Sequence, residues 1–222
     1  MSWLAQNLAE VDARIAARLL KSGRAPGSVT RIVVSKFHPA SLVRELNELG
    51  VSDFGENRDQ EASAKAEELA DLKLTWHFIG QLQSNKAKSV IKYASTIHSL
   101  DRESLLDALA ARPTDAQLGV FIQVNLTDDP GRGGVEPEDM LPFANRVVAV
   151  PHLELLGVMA VASLDGEEER DFDKVARLSE QLRVAHPTAK NISAGMSNDF
   201  ELAIDYGATH LRIGTAITGK RG

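Results

Sequence analysis

Ile32-Val33-Val34-Ser35-Lys36-Phe37-His38-Pro39 decides between the two architectures open to this sequence. Residues 32–34 are apolar and β-branched, as a strand buried on both faces must be, and Pro39 opens a helical stretch that ends near Gly50. A strand leading straight into a helix is one βα unit. In a doubly wound open sheet, the runner-up, the first such unit normally carries a glycine-rich turn, and this turn has no glycine. Outward from it the alternation repeats. Strands are expected at 29–35, 51–55, 74–79, 96–100, 119–125, 153–160, 191–194 and 209–213. Helical stretches fall at 57–72, 102–111 with Asp101 as cap, 136–150 and 171–185. Eight βα units in about 200 residues make an α/β protein, a single (β/α)8 TIM barrel. Before it, Trp3, Leu4, Leu8, Val11, Ile15 and Leu19 recur at helical spacing and add an N-terminal helix. No repeat or linker divides the chain, so residues 1–222 are expected to form one domain; the run 128–134 reads as a mobile loop.

Composition narrows the chemistry. Hydrophobic residues at 43% and charged ones at 25% describe an ordinary globular chain. The net charge of −6, with no conspicuously basic half, disfavours a nucleic-acid partner. The absence of cysteine excludes disulfides, thiol nucleophiles and iron–sulfur ligation. The N-terminal helix is not a signal peptide and no stretch has the ~20 apolar residues of a membrane span, so a cytoplasmic location and no membrane partner are expected. The six histidines show no metal-ligand spacing, and no metal is expected.

Active groups of a barrel stand at the carboxyl ends of its strands. Lys36 follows an apolar strand there. Desolvation would favour its neutral, nucleophilic amine, suited to a Schiff base; the alternative is a strand-end lysine snorkelling to solvent. The stretch Ser193-Ala194-Gly195-Met196-Ser197-Asn198-Asp199 joins a strand to a helix, and Arg212-Ile213-Gly214-Thr215-Ala216 repeats that construction after the last strand. Each suits an anion cradled by backbone N–H groups, or plain helix capping; two adjacent loops of this type favour a phosphate. His77, in Trp76-His77-Phe78, reads as a hydrogen-bonded core histidine, Glu56 as a capping residue, and Asn57 as a group that could face a ligand.

Taken together these segments resemble the pyridoxal phosphate (PLP) homeostasis proteins over almost the whole chain. The resemblance is carried by Val34-Ser35-Lys36 with His38-Pro39, Phe54-Gly55-Glu56-Asn57-Arg58 with Gln60-Glu61, Trp76-His77-Phe78-Ile79-Gly80 with Leu82-Gln83-Ser84-Asn85-Lys86, Gly195-Met196-Ser197 with Asp199, and Arg212-Ile213-Gly214-Thr215-Ala216-Ile217. It implies a barrel similar to the alanine racemase N-terminal domain, with PLP held as a Schiff base on Lys36. It further implies a phosphate on Ser197, Gly214 and Thr215, a pyridine nitrogen near Arg212, and Asn57, Met196 and Ser193 lining the pocket. Ala194, Thr218 and Gln81 depart from the family at wall positions, and Arg132 stands where relatives often carry a lysine.

The implied function is a carrier that buffers PLP and delivers it to PLP-dependent apo-enzymes, as a monomer and without catalysis of its own. An amino-acid racemase or other PLP-dependent enzyme is the alternative. Racemisation would need a second acid/base, and the two tyrosines, Tyr93 and Tyr206, are both expected on helices, with the chain ending soon after strand eight. A class I aldolase using Lys36 without PLP would need an acid/base pair that the sequence does not offer.

Overall fold

Eight short strands pair in parallel, in chain order, and the last closes on the first. They are β1 (Thr30–Val34), β2 (Asp53–Glu56), β3 (Thr75–Phe78), β4 (Ala94–Leu100), β5 (Leu118–Gln123), β6 (Leu153–Met159), β7 (Asn191–Ser193) and β8 (His210–Ile213). The computed structural model describes residues 2–127, 133–163 and 166–219. Each expected strand overlaps an observed one, and the closure of β8 on β1 through Ile32–Arg212 and Val33–Ile213 pairing establishes the barrel over the open sheet. Arg132 and most of the loop 128–134 lie outside the described residues.

Around the barrel run α1 (Trp3–Lys21), α2 (Ala40–Glu48), α3 (Asp59–Glu68), α4 (Ala87–Val90), α5 (Glu103–Ala110), α6 (Met140–Val148), α7 (Glu168–Ala185), α8 (Phe200–Asp205) and α9 (Thr215–Thr218). Helix α1 starts where the Ser2 hydroxyl accepts from the Ala5 amide, and it buries Leu4, Leu8, Val11, Ile15 and Leu19 against α8 and α9. Arg14 and Arg18 then reach Glu201 and Asp205 on α8. The extra helix thereby braces the segment after β7.

Three expectations are corrected. Asp101 does not cap α5; Arg102 holds that position, and Asp101 pairs with the Arg102 guanidinium instead. Glu56 is the last residue of β2 and is buried, so its carboxylate cannot reach a helix end as a cap. Tyr93 and Tyr206 fall beyond the ends of α4 and α8. Among the described residues, no helix is long and apolar enough to cross a membrane.

Candidate functional site

A cavity of about 870 Å³ opens at the carboxyl ends of the strands, over β1, β2, β7 and β8. Lys36, Asn57, Met196, Ser197, Arg212, Gly214 and Thr215 all line it. Lys36 sits two residues past β1, half-buried, and its ammonium makes no hydrogen bond or ion pair with the described residues. The turn holding it is strained: Phe37 has φ 66°, in the left-handed region that a bulky side chain rarely enters. Its N–H donates to Glu61 Oε2 (3.0 Å), and the Arg58 guanidinium lies 4.9 Å above its ring.

Across the cavity, the two loops after β7 and β8 meet on one atom. Ser197 Oγ accepts from the amides of Gly214 and Ala216, both at 3.2 Å. A hydroxyl has two lone pairs and one proton, so with both lone pairs engaged its proton remains to donate. The Ser197 oxygen thus draws two main-chain N–H groups of the second loop to one point, and an anion that took its place as their acceptor would meet these amides and the hydroxyl as donors. Gly195 makes the approach of the first loop possible. It has φ +91°, and a Cβ there would meet the Ala203 Cβ at 2.7 Å. Asp199 fixes the turn by accepting from the Met196 amide at 2.5 Å.

Between these groups lies Arg212, a buried cation. Its guanidinium donates to Ser193 Oγ (2.7 Å) and to the Ala160 carbonyl (2.8 Å), and it forms no ion pair among the described residues. Burial pushes its pKa down to about 10, with only Asp199 opposing, so it remains a donor and never an acceptor near neutral pH. Ser193 is fully buried beneath Arg212 and does not line the cavity, contrary to expectation, because β7 ends there with its side chain turned inward. Ala194 and Thr218 are likewise buried off the cavity, and Gln81 lines a separate hollow with Asp101 and Arg102.

Behind Lys36, Glu56 Oε1 accepts from Ser35 Oγ (2.7 Å) and pairs with Lys65 (2.6 Å), whose ammonium also donates to the Ser35 carbonyl. Burial pushes the Glu56 carboxyl above the usual carboxylate range in spite of the Lys65 ammonium. The cluster secures the backbone just before the lysine. Asn57 is set by the close passage of Gly80, where a Cβ would lie 2.1 Å from the Asn57 carbonyl. Its Oδ1 is buried without a partner, an unfilled acceptor on the cavity wall.

Under Arg212, His77 is the hydrogen-bonded core histidine expected from the sequence, but its neighbours His98 and His210 were not foreseen. His77, His98 and Ser193 are buried and hydrogen-bonded in series, and His210 packs beside them. The histidines are far apart in sequence; inward positions on β3, β4 and β8 were the available signal, but they become neighbours only once the barrel closes.

Comparisons with known proteins agree with this picture. A family model described as the alanine racemase N-terminal domain matches residues 14–222. A pyridoxal phosphate homeostasis protein of Pseudomonas aeruginosa is 42% identical over 100% of this chain and 97% of its own. The structure of PipY of Synechococcus elongatus, solved with PLP bound, superposes with a TM-score of 0.84 at 35% identity, covering 97% of this chain and 100% of PipY. Alanine racemase of Corynebacterium glutamicum, at 18% identity and a TM-score of 0.71, shares the fold over 98% of this chain and 60% of its own.

Proposed function

The chain belongs to the pyridoxal phosphate homeostasis proteins, within the family of the alanine racemase N-terminal domain, and from that premise we propose that it carries PLP reversibly in this cavity, as a cytoplasmic buffer that delivers the cofactor to apo-enzymes. The observation that carries the reading is the arrangement of three complementary groups on one cavity: an unengaged lysine amine, a two-loop anion cradle, and a buried guanidinium between them. The residues fit the cofactor. Lys36 would hold the cofactor through its amine, to which PLP would supply an aldehyde for a linkage that forms with loss of water and that water reverses. Ser197 would donate its hydroxyl to the phosphate, the Gly214 and Ala216 amides would turn to it from the Ser197 oxygen, and Thr215 would flank it. Asn57 offers an acceptor, and Met196 supplies apolar wall.

Arg212 argues for carriage over catalysis. A guanidinium only donates, so Arg212 would hold a ring nitrogen placed against it as an acceptor, unprotonated, which would weaken the ring as an electron sink. Neither tyrosine supplies a second acid/base: Tyr93 bonds Asp59 (3.3 Å), Tyr206 bonds Glu169 (3.0 Å), and neither lines the cavity. We take residues 1–222 as one PLP-binding unit working as a monomer.

The test pairs two assays. Loaded protein is incubated with L- or D-alanine and followed by chiral analysis, and separately mixed with a PLP-dependent apo-enzyme. Reactivation of the apo-enzyme without racemisation above that of free PLP is expected; turnover that disappears in Lys36→Ala would restore the racemase reading.

A further inference from the structure

The hydrogen bonds under Arg212 continue through the barrel to its opposite end. Ser193 Oγ lies 2.7 Å from His98 Nδ1, His98 Nε2 lies 2.9 Å from His77 Nδ1, and His77 Nε2 lies 3.1 Å from Asp53 Oδ1. Asp53 opens β2 at the amino end of the barrel, with its side chain 26% exposed, whereas His77, His98, Ser193 and Arg212 are buried.

Donor counting fixes the direction of the chain. Arg212 can only donate, so Ser193 Oγ accepts and its single proton must go to His98 Nδ1. His98 then carries its proton on Nε2 and donates to His77 Nδ1. His77 in turn carries its proton on Nε2 and donates to the Asp53 carboxylate. Every group is satisfied in this order. In the reverse order His98 Nδ1 would donate to Ser193, and the Ser193 proton would lose its acceptor in a dry core. Burial and the nearby His77 and Arg212 push the His98 imidazole well below its ordinary pKa, consistent with the neutral ring that this order needs.

On this basis, and resting on the PLP reading of the cavity, we propose that Asp53, His77 and His98 are positioning residues for the cofactor's ring: acting through Ser193, they orient the Arg212 guanidinium toward the pyridine nitrogen. A purely structural role explains the chain less well. Barrel interiors are ordinarily filled by branched apolar side chains, and apolar residues of similar volume commonly serve stability as well as buried polar groups or better. Here the chain ends on the guanidinium that lines the cavity, and its carboxylate stands at the far end, where it sets the proton order without neutralising Arg212 in a direct ion pair. The His98 ring is held for this by stacking on Phe121, with centroids 4.6 Å apart, and by edge contacts with His77 and His210.

Two measurements test the proposal. In the ligand-free protein, long-range nitrogen NMR is expected to show His77 and His98 both protonated on Nε2, and separate Arg212 Nη proton signals that merge in Asp53→Leu and His98→Phe. An Nδ1 proton on either ring, or Arg212 signals unmoved by both substitutions, would overturn it. In the second, retention of PLP is compared with that of an analogue carrying carbon in place of the ring nitrogen. Asp53→Leu and His98→Phe should weaken PLP retention about ten-fold, the worth of one buried hydrogen bond, and the analogue less than about two-fold. Asp53→Asn, which keeps an acceptor for His77, should stay near wild type. Equal losses for both ligands would reduce the chain to a structural role. Wild-type protein that retains neither ligand would instead sink the PLP reading, and with it the positioning role.

Discussion

The two ends of the cavity are built by opposite means. At the anion end, two main-chain amides converge on the Ser197 hydroxyl, all within residues 197 to 216, so the groups offered to a ligand there are mainly backbone dipoles. At the ring end, a buried cation is held by a file of side chains from β8, β7, β4, β3 and β2, spread from residue 53 to residue 212. Dipoles at a loop–helix junction come with the backbone and cost the fold little. A buried guanidinium without a carboxylate partner costs stability, and the barrel must supply partners for it layer by layer. The first kind of site is local and readable; the second exists only in the closed barrel.

The comparison breaks most completely at the amine that stands between the two ends. Lys36→Ala should abolish any borohydride-fixed adduct with PLP while leaving the unfolding free energy within about 0.5 kcal/mol, since the Lys36 ammonium makes no hydrogen bond with the described residues. Absorbance and mass spectrometry of the reduced protein check this, and an adduct on another lysine would show that the two ends do not share one ligand.

Acid separates the ends next, because the ring end holds buried imidazoles. Burial pushes His210 down to about 4 and His98 well below its usual range. The unfolded chain therefore binds more protons than the fold between pH 6.5 and 4, and stability must fall as pH falls through that window. His210 alone should account for about 2–3 kcal/mol of the loss, allowing for its partial exposure. Asp53, whose pKa is lowered in the fold, adds a loss only at lower pH, below the ordinary aspartate range. Urea unfolding at stepped pH measures the slope. His210→Phe should flatten it and Ser197→Ala should not; an unchanged slope in His210→Phe would contradict the assignment.

Arg212→Leu should cut PLP retention about 100-fold, from the loss of charge-assisted bonding, while ligand-free stability is not lowered. A fall in both would mean that the cation serves the fold as much as the ligand. Smaller effects belong to the anion end. Ser197→Ala should weaken PLP about ten-fold, and Thr215→Val a few-fold, with pyridoxal lacking the phosphate hardly affected in titrations. Equal losses for the two ligands would remove the phosphate from these loops.

The same contrast explains what could be read from the chain. Local alternation marked all eight strands, and Gly195, Ser197 and Gly214 stood out because their turns are short and contiguous. Helix α4, only four residues long, carries too little periodicity to notice. Glu56 looked like a cap because nothing in its neighbours shows that β2 extends to it, or that Lys65, nine positions later, turns back as its counter-ion. Ser193 was placed on the wall because its bond to His98, 95 positions away, depends on strand register across the barrel.

The left-handed Phe37 bears on how long the cavity keeps its occupant. Holding a bulky residue at φ 66° costs roughly 1–3 kcal/mol, which a glycine would avoid. A glycine would also widen the range of conformations open to the turn. With phenylalanine there, and the Glu61 carboxylate clamping its amide, the backbone that links β1 to α2 and carries Lys36 is restrained. For the proposed Lys36 linkage, release would then depend more on the access of water than on breathing of the loop that carries the lysine.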